Sequence, residues 1–285
     1  MKSKGLVADP TKTYPAKRYW TGLAEGAPSA DTSGFAPVLH PDAPAWFNYL
    51  IDDLQYRAVQ RALAMGRVHS GARILDVGCG TGRWVRRYQE LGLHATGVDA
   101  TLPMLRLARA RGTTAPIVAG EAQRLPFADE QFDFVSDITV IQHIPRSLQT
   151  DALAEMTRVL RSGGRMVLME LIRGEGVHIF PRTARGWIEQ AGALGLKLAG
   201  WFGQEYMLLD RLLVHTTRAI TARNGNPMPA TEIPEKSAPR HSPTARQIFW
   251  AFRHVTAPIS AWVESLVENI CPAEAATHGV FIFQK

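Results

Sequence analysis

The chain has 285 residues, of which 46% are apolar and 20% are charged, and it carries a formal net charge of +6. This is the ordinary composition of a globular protein that buries a real core. The charges are scattered along the chain and form no blocks. The basic balance is therefore typical of a mildly basic globular protein, with an anionic substrate or surface as the alternative.

Simple counts disfavour secreted, membrane-spanning and disulfide-bonded proteins. Residues 1–17 carry charges with no apolar run behind them, which argues against a secretory signal. No stretch approaches the about 18 uninterrupted apolar residues that a membrane span needs. Two cysteines, Cys79 and Cys271, are too few for a disulfide framework or a zinc site. We expect a cytoplasmic protein with no membrane span and no bound metal.

The first part of the chain is predicted to be an arm followed by a helix. Residues 1–45 are rich in Pro, Gly, Ser, Thr and Ala and show no clear period, which indicates a mobile arm. Apolar residues then recur at helical spacing over residues 46–65, which predicts an amphipathic helix that ends near Gly66.

From residue 73 onward, strands alternate with helices or short connections. The predicted strands cover residues 73–77, 94–98, 116–119, 132–137 and 165–171. The predicted helices cover residues 83–91, residues 101–111 with Thr101 as N-cap, and residues 147–160, the last stopping at Gly163-Gly164. Strands separated in this way predict a parallel, doubly wound sheet, whose ligands bind beyond the carboxyl ends of the strands.

The second half departs from this alternation. A helix is predicted for residues 183–194, and strands are predicted for residues 197–202 and 279–284. Between the last two lies a long elaboration, residues 207–278, with two helical stretches and a Pro/Asn-rich loop. Its second helical stretch has an apolar stripe that we predict to be a buried face: Ile248, Phe252, Val255, Ile259, Trp262 and Leu266.

A glycine-rich turn follows the first strand. The run Arg-Ile-Leu-Asp-Val-Gly-Cys-Gly-Thr-Gly occupies residues 73–82, and Asp76 lies just before the turn. Glycines let the backbone turn tightly and approach a ligand, and the following helix start offers free N–H groups. The spacing G-x-G-x-G is one residue shorter than the dinucleotide fingerprint. Asp76 suits a cationic group better than a pyrophosphate, which needs N–H donors.

Acidic residues also end the next two strands. Asp99 comes 23 residues after Asp76 and suits a bidentate grip on a ribose diol. Glu121 lies in Gly-Glu-Ala, ahead of Leu-Pro-Phe. A carboxylate there is placed to accept a hydrogen from an adenine amino group while its apolar neighbours sandwich the ring.

Taken in order, these motifs resemble the class I S-adenosylmethionine-dependent methyltransferases. The resemblance rests on LDVGCGTG, GVD, GEAQRLPF, FDFVSDITVIQHI and RSGGRMVLME, and it covers about residues 70–172 and the last strand. It implies an α/β, Rossmann-like fold with a doubly wound, mostly parallel seven-stranded sheet, a helical N-terminal arm and a helical insertion before the last strand. It further implies one structural unit with three parts: an N-terminal arm and lid helix (1–70), a cofactor-binding core (71–206 plus 279–285) and a helical insertion that caps the substrate (207–278).

The resemblance also assigns cofactor contacts for S-adenosyl-L-methionine. The methionine part would be held by Asp76 and by the turn, Gly78, Cys79, Gly80 and Gly82. The ribose would meet Asp99 with Ala100 and the start of the next helix at Met104, and the adenine would meet Glu121 and Ala122. Asp137, Ile138 and Gln142 match the segment that lines the sulfonium. Cys79 is expected to be a small turn residue and not a nucleophile.

Substrate residues are less determined by the resemblance. His143 follows the fourth strand, where histidines of this family often lie near the substrate, and its pKa range suits a general base. Structural packing against the turn is the alternative role for His143. Substrate contacts are expected from Tyr19 and Trp20 of the arm, from His178 and from Tyr206.

The predicted activity is methyl transfer to a small molecule, on an oxygen of a secondary metabolite, sugar or lipid-linked substrate. The sequence has no Asn/Asp/Ser-Pro-Pro-aromatic tetrapeptide, no Pro-Cys dipeptide and no Asp-Asn pair, which disfavours DNA-base and magnesium-dependent catechol chemistry. Open alternatives are nucleic-acid or protein methylation, for which residues 240–254 supply basic and aromatic side chains, C- or N-methylation of a small metabolite, and a non-catalytic cofactor-binding protein. No stable nucleic-acid partner is expected, and a homodimer stays open.

Overall fold

The computed structural model describes residues 16–27, 35, 37–40, 43–174, 178–206, 259, 262–264, 266–268 and 270–285. Three features expected from the sequence lie outside these residues: the first helical stretch of the elaboration, its Pro/Asn-rich loop, and the basic and aromatic residues at 240–254.

Seven strands form one sheet. They are β1 (Arg73–Val77), β2 (His94–Asp99), β3 (Ile117–Ala119), β4 (Phe132–Ile138), β5 (Leu160–Leu171), β6 (Lys197–Gln204) and β7 (His278–Gln284). Their order across the sheet is β3-β2-β1-β4-β5-β7-β6. The first five pair in parallel, and β7 runs antiparallel to both of its neighbours. The predicted α/β fold with a mostly parallel seven-stranded sheet is confirmed.

Helices cover both faces of the sheet. They are α1 (Ala16–Glu25), α2 (Ala45–Met65), α3 (Arg83–Glu90), α4 (Leu102–Ala110), α5 (Arg146–Val159) and α6 (Ala184–Ala193), with short 3₁₀ turns at Ile141–His143 and Ala273–Ala275. Buried residues of α2 and α3 form one core with the sheet, and those of α5 and α6 form a second core on the opposite face. The amphipathic helix predicted for residues 46–65 is α2, and its buried positions include Phe47, Ile51, Leu54 and Ala58.

The strand order creates a crevice at the carboxyl edge of the sheet. The chain leaves β1 toward β2 and β3 on one side, and it returns to pair β4 with the other side of β1. Connections therefore diverge above β1 and β4, and open α/β sheets bind ligands at such a switch point. The glycine turn follows β1 at this point, and the segment that carries His143 follows β4.

The N-terminal arm, predicted to be helical, contains α1, whose residue Ala24 is buried. Two local predictions differ from the structure. The side chain of Thr101 makes no capping bond; instead Asp99 Oδ1 accepts the Thr101 N–H at 2.8 Å. The helix predicted to stop at Gly163-Gly164 ends at Val159, and the chain passes directly into β5, which contains both glycines.

The apolar stripe in the elaboration is also corrected. Its described members Ile259, Trp262 and Leu266 have exposed fractions of 55%, 65% and 43%. The prediction of a buried face is therefore wrong for these three residues. Among the residues that the structure describes, no helix is both long and apolar enough to cross a bilayer.

Candidate functional site

The turn after β1 requires glycine for steric reasons. Gly78, Gly80 and Gly82 have φ values of 68°, 51° and 73°, in the left-handed region that side chains disfavour. A Cβ on Gly78 would lie 2.5 Å from both terminal methyl carbons of Val140. A Cβ on Gly80 would lie 2.9 Å from Val38 Cγ1. The turn is therefore packed between the segment after β4 and the N-terminal segment.

Asp99 connects the end of β2 to this turn. Its Oδ2 accepts the Gly80 N–H at 2.9 Å, and its Oδ1 accepts the Thr101 N–H at 2.8 Å. Each carboxylate oxygen has further acceptor capacity beyond one such bond. Burial raises the pKa of Asp99, and the two backbone N–H groups oppose that rise. The side chain is thus fixed in orientation while it keeps acceptor sites for the hydroxyl groups of a ribose.

Asp76 is a buried acid beside the same turn. Its Oδ1 accepts the Ser136 hydroxyl at 3.1 Å, and its Oδ2 has no hydrogen-bond partner within the part of the chain that the structure describes. Burial raises the pKa of Asp76 to about 8, and the nearby carboxyls of Asp137 and Asp99 act in the same direction. A cation brought close to this group would favour its ionised form.

These observations fit S-adenosyl-L-methionine, whose ammonium and sulfonium groups carry positive charge. Glycines allow close backbone approach, an acid with an unpaired oxygen lies beside them, and Asp99 offers acceptors to a ribose. The arrangement fits a dinucleotide poorly, because a pyrophosphate at the glycine turn would meet the acid Asp76 there.

The segment predicted to meet adenine is held by α5. Glu121 is exposed and Ala122 is half-buried. The following Leu125 donates its N–H to Glu155 Oε2 at 2.8 Å. Arg158 donates to the carbonyl oxygens of Leu125 and Phe127 at 3.1 and 2.9 Å. Glu155 and Arg158 were not singled out from the sequence, because an acid and a base three residues apart on a helix usually form only a surface pair.

The remaining predicted cofactor contacts lie around the carboxyl edge. Ala100 is half-buried after β2, and Met104 is buried in α4. Asp137 and Ile138 end β4, both buried, and Asp137 Oδ1 accepts the Val140 N–H at 3.2 Å. Gln142 is buried in the 3₁₀ turn, and its Oε1 accepts the Leu171 N–H at 2.7 Å. Direct contact of these residues with a cofactor stays a prediction.

Four residues predicted for catalysis and substrate binding meet in one group, which we call the aromatic cluster: Tyr19, Trp20, His143 and His178. The two imidazoles are nearly parallel, with ring centroids 5.5 Å apart. Tyr19 stacks on His178 at 4.7 Å, and Trp20 meets His143 edge-on at 5.0 Å. Three separate parts of the chain therefore converge beside the crevice.

The tautomer of His143 follows from its contacts. Nδ1 lies 3.0 Å from the His178 carbonyl oxygen, so Nδ1 carries the hydrogen and Nε2 carries the lone pair. Gln142 Nε2 lies 3.4 Å from this Nε2. Burial lowers the pKa of His143 to about 4, and the charges of His178 and His278 act in the same direction, against the His178 carbonyl. The imidazole is therefore neutral near pH 7 and has one proton-accepting nitrogen.

Tyr206 lies elsewhere, and its role as a substrate contact stays a prediction. It is buried with Val267 and Ala276 in a cluster of its own. Its N–H donates to Glu264 Oε2 at 2.7 Å.

The N-terminal segment covers the site, as Val38 over the glycine turn already indicates. Helix α1 packs against α4, which begins just after Asp99, and it places Trp20 on His143. Sequence reasoning missed Val38, which lies in a segment without periodicity. It also missed Gln149 and Glu170, whose side chains bind the backbone of the 3₁₀ turn that carries His143. One signal was present for Glu170, which is a lone acid within the apolar run Met166–Leu171.

Comparisons with known proteins support the family resemblance that the sequence motifs indicate. Residues 75–168 match a family described as a methyltransferase domain. Demethylmenaquinone methyltransferase of Renibacterium salmoninarum is 38% identical over 107 residues, which are 38% of this chain and 44% of that protein. Malonyl-[acyl-carrier protein] O-methyltransferase of Serratia marcescens is 36% identical over 121 residues, which are 42% of this chain and 47% of that protein.

The chain thus spans less than half the length of these relatives. The solved structure of the [4+2]-cyclase SpnF covers 80% of each chain with a TM-score of 0.51 and 20% identity, which shows a shared fold and no more. The family match spans the glycine turn, Asp99, Glu121 and the strand that leads to His143. Residues 75–168 of this chain are thus a methyltransferase domain, and they carry the motifs that resemble the class I S-adenosylmethionine-dependent enzymes.

Proposed function

We propose that this protein transfers a methyl group from S-adenosyl-L-methionine to an oxygen of a small molecule that binds against the aromatic cluster. The observation that carries the proposal is a neutral His143 with an Nε2 lone pair, three residues after Val140, which packs against a glycine turn that fits this cofactor. When bound, the cofactor supplies a methyl group on a positively charged sulfur, which needs no further activation.

The protein then has to align the acceptor and exclude water. Asp99 and the backbone at Gly78–Gly82 orient the cofactor at the carboxyl edge of the sheet. The N-terminal segment covers this edge, where Val38 lies over the turn and Trp20 lies against His143. A crevice covered in this way has little room for water beside the reacting atoms, and its aromatic walls favour a flat or apolar acceptor.

The low pKa of His143 bears on the kind of hydroxyl group. A base is most effective when its pKa lies near the working pH. Burial holds the pKa of His143 at about 4, so its Nε2 is suited to accept a hydrogen bond from a hydroxyl that is already acidic. A phenol, an enol or a carboxylic acid fits this requirement better than an aliphatic alcohol. The name of one relative, an O-methyltransferase, supports oxygen as the acceptor atom.

The experiment uses cofactor with a radiolabelled methyl group. The protein is incubated with small-molecule, RNA and protein fractions and with a panel of phenols, carboxylic acids and aliphatic alcohols. We expect label in the small-molecule fraction, and transfer to acidic hydroxyl groups above transfer to alcohols. Label confined to RNA or protein would contradict the small-molecule assignment, and absence of transfer to every acceptor would contradict the activity itself.

His143→Asn tests the role of the histidine. Asparagine keeps a donor for the His178 carbonyl but removes the acceptor nitrogen, so we expect kcat to fall about 100-fold with cofactor affinity changed less than about twofold. His69→Asn is the matched control, because exposed His69 also places Nδ1 3.0 Å from a carbonyl oxygen, that of Ser70. Full turnover by His143→Asn would remove the proton-accepting role.

A further inference from the structure

The segment between β4 and α5 holds His143 in an unusual backbone conformation. Thr139 has φ of 60°, a left-handed value that non-glycine residues rarely adopt. Residues Ile141–His143 then form a 3₁₀ turn. Because of this geometry, the N–H groups of Val140, Ile141 and Gln142 point in one direction. Three adjacent N–H groups form a site for negative charge.

The carboxylate of Glu170 fills that site. Its Oε1 accepts the N–H groups of Val140 and Ile141 at 3.0 and 2.8 Å. Its Oε2 accepts the Gln142 N–H at 2.8 Å. Glu170 belongs to β5 and is fully buried. The next residue of the strand, Leu171, donates its N–H to the Gln142 side chain at 2.7 Å. The end of β5 therefore grips the turn through both its side chain and its backbone.

The carbonyl side of the turn is held by Gln149 of α5. Its Nε2 donates to the carbonyl oxygens of Ile141 and Ile144 at 3.1 and 3.0 Å. It also donates to the Phe180 carbonyl at 2.8 Å. Phe180 in turn donates its N–H to the Gln142 carbonyl at 2.7 Å. The carbonyl that receives His143 Nδ1 belongs to the same short segment as Phe180, so turn and acceptor are fixed relative to each other.

We propose that Glu170 is a positioning residue for His143: by binding the N–H groups of residues 140–142, it sets the orientation in which Nδ1 meets the His178 carbonyl and Nε2 stays a proton acceptor. The inference rests on the proposed function in that it assigns His143 a role toward the acceptor. The orientation itself is a property of the protein without substrate.

The charges around Glu170 are consistent with this role. Burial raises the pKa of Glu170, and the neighbouring carboxyl of Asp137 raises it further. Three backbone N–H groups favour charge on Glu170, whereas Asp137 accepts a longer bond from Val140 and shares a hydrogen bond with Glu170 itself. When the pair holds one proton, that proton therefore belongs on Asp137, and Glu170 keeps the negative charge that the turn requires.

Glu170→Gln tests the proposal, because glutamine keeps the size of the side chain but turns an amide donor toward one of the turn N–H groups. We expect kcat to fall by about tenfold or more while KM for the cofactor stays within about twofold, since misplacement of a catalytic group mainly affects the chemical step. In ¹⁵N-histidine NMR, the wild type should show His143 as the Nδ1–H tautomer, and the variant should show exchange between tautomers. The His143→Asn spectrum identifies the signal.

Asp133→Asn is the matched control. Asp133 also accepts a backbone N–H, from Arg73 at 2.8 Å, but both residues lie at the amino ends of their strands, away from the crevice. It should leave the His143 signal unchanged. If Glu170→Gln does not fold, Glu170→Asp decides, because it keeps the charge and withdraws it from the turn, so the same spectral change should follow.

The spectrum separates this proposal from the proposed function. An altered His143 signal in a protein that transfers no methyl group would uphold the positioning role and reject the activity. An unchanged tautomer and an unchanged kcat in a folded Glu170 variant would overturn the positioning role, whatever the activity of the wild type.

Discussion

The cofactor side and the substrate side of the crevice are built in different ways. On the cofactor side, the glycine turn and Asp99 lie within one βαβ unit, and the contacts that shape them are mostly to backbone. On the substrate side, Trp20, His143 and His178 come from α1, from the turn after β4 and from the segment before α6. One side is a local motif, whereas the other exists only after distant parts of the chain have packed together.

The two sides meet at Val140. Its side chain packs against Gly78, and its N–H donates to Glu170. Val140 lies two residues before Gln142 and three before His143. A change that pushes Val140 away from the glycine turn should therefore disturb both sides. This contact gives the most direct way to test whether they are independent.

Gly78→Ala should have the largest effect. Alanine would bring the left-handed strain of φ 68° and a Cβ 2.5 Å from the Val140 methyl carbons. Overpacking in a tight core costs about 1–3 kcal/mol beyond that strain. We expect cofactor affinity by calorimetry to fall about 100-fold or more, since a shift of about 1 Å misaligns every group of the turn.

Gly112→Ala is the matched control, because Gly112 has φ of 83° and an added Cβ there would meet no described neighbour within 4 Å. It should cost about 1 kcal/mol of stability and leave cofactor affinity unchanged. Adding Val140→Ala to Gly78→Ala should restore part of the affinity by relieving the clash. No recovery in the double variant would show that the clash with Val140 is unimportant.

The difference between the two sides also explains which features were predictable from the sequence. The βαβ unit was readable because the glycines at 78, 80 and 82 and the acid at 99 reflect local backbone needs: a left-handed turn, and an acceptor at a strand end. The parallel, doubly wound sheet followed from the alternation of strands with helices, and its Rossmann-like form from the family resemblance. Nothing local reports that Val38 will lie on Gly80 or that Gln149 will bind three carbonyl groups, because those contacts depend on packing between elements.

Errors in the prediction have the same origin. The arm was predicted to be helical but without bounds, because its sequence shows no clear period; α1 forms where Ala24 is buried and Trp20 contacts His143. The stripe at Ile259, Trp262 and Leu266 has the right helical period for a buried face, but periodicity gives the orientation of a face and not what covers it. The sequence shows that Glu170 is an acid in an apolar strand, but it does not indicate which groups Glu170 binds.

Trp20→Ala should act on the substrate side alone. Loss of the edge-on contact with His143 at 5.0 Å removes part of the wall of the crevice. Aromatic pairs contribute about 0.5–1.5 kcal/mol beyond burial, so we expect kcat/KM for the acceptor to fall up to about tenfold. Steady-state kinetics at saturating cofactor, together with calorimetry of cofactor binding, measures the two sides separately.

Lys17→Ala on the same helix is the control, because Lys17 is exposed and its loss should change neither quantity. If Trp20→Ala weakens cofactor binding as much as it lowers turnover, then α1 belongs to the cofactor side, and the boundary between the two sides lies elsewhere.

Asp137→Asn should have the smallest effect, and it acts where the two sides join. Burial raises the pKa of Asp137 to about 7, above the value of about 4 in an unfolded chain. The folded state therefore holds a proton that the unfolded state has released, so wild-type stability falls as the pH rises from about 4 to about 7 and is then level. Asparagine has no such proton. The free energy of unfolding of the variant, relative to that of the wild type, should therefore be higher at about pH 8 than at about pH 5 by at least about 1 kcal/mol. This corresponds to a change of a few degrees in the Tm difference between the two proteins.

Asp133→Asn supplies the contrast. Its hydrogen bonds with Arg73 lower the pKa of Asp133 to about 2, so this carboxylate is ionised in both the folded and the unfolded state across that pH range. The stability cost of Asp133→Asn should therefore be the same at both pH values. If the Tm difference between Asp137→Asn and the wild type is also the same at about pH 5 and about pH 8, then Asp137 is ionised in the folded protein at both pH values. Glu170 would then have to hold the shared proton, and the turn that carries His143 would be bound by a neutral carboxyl group instead of a charged one.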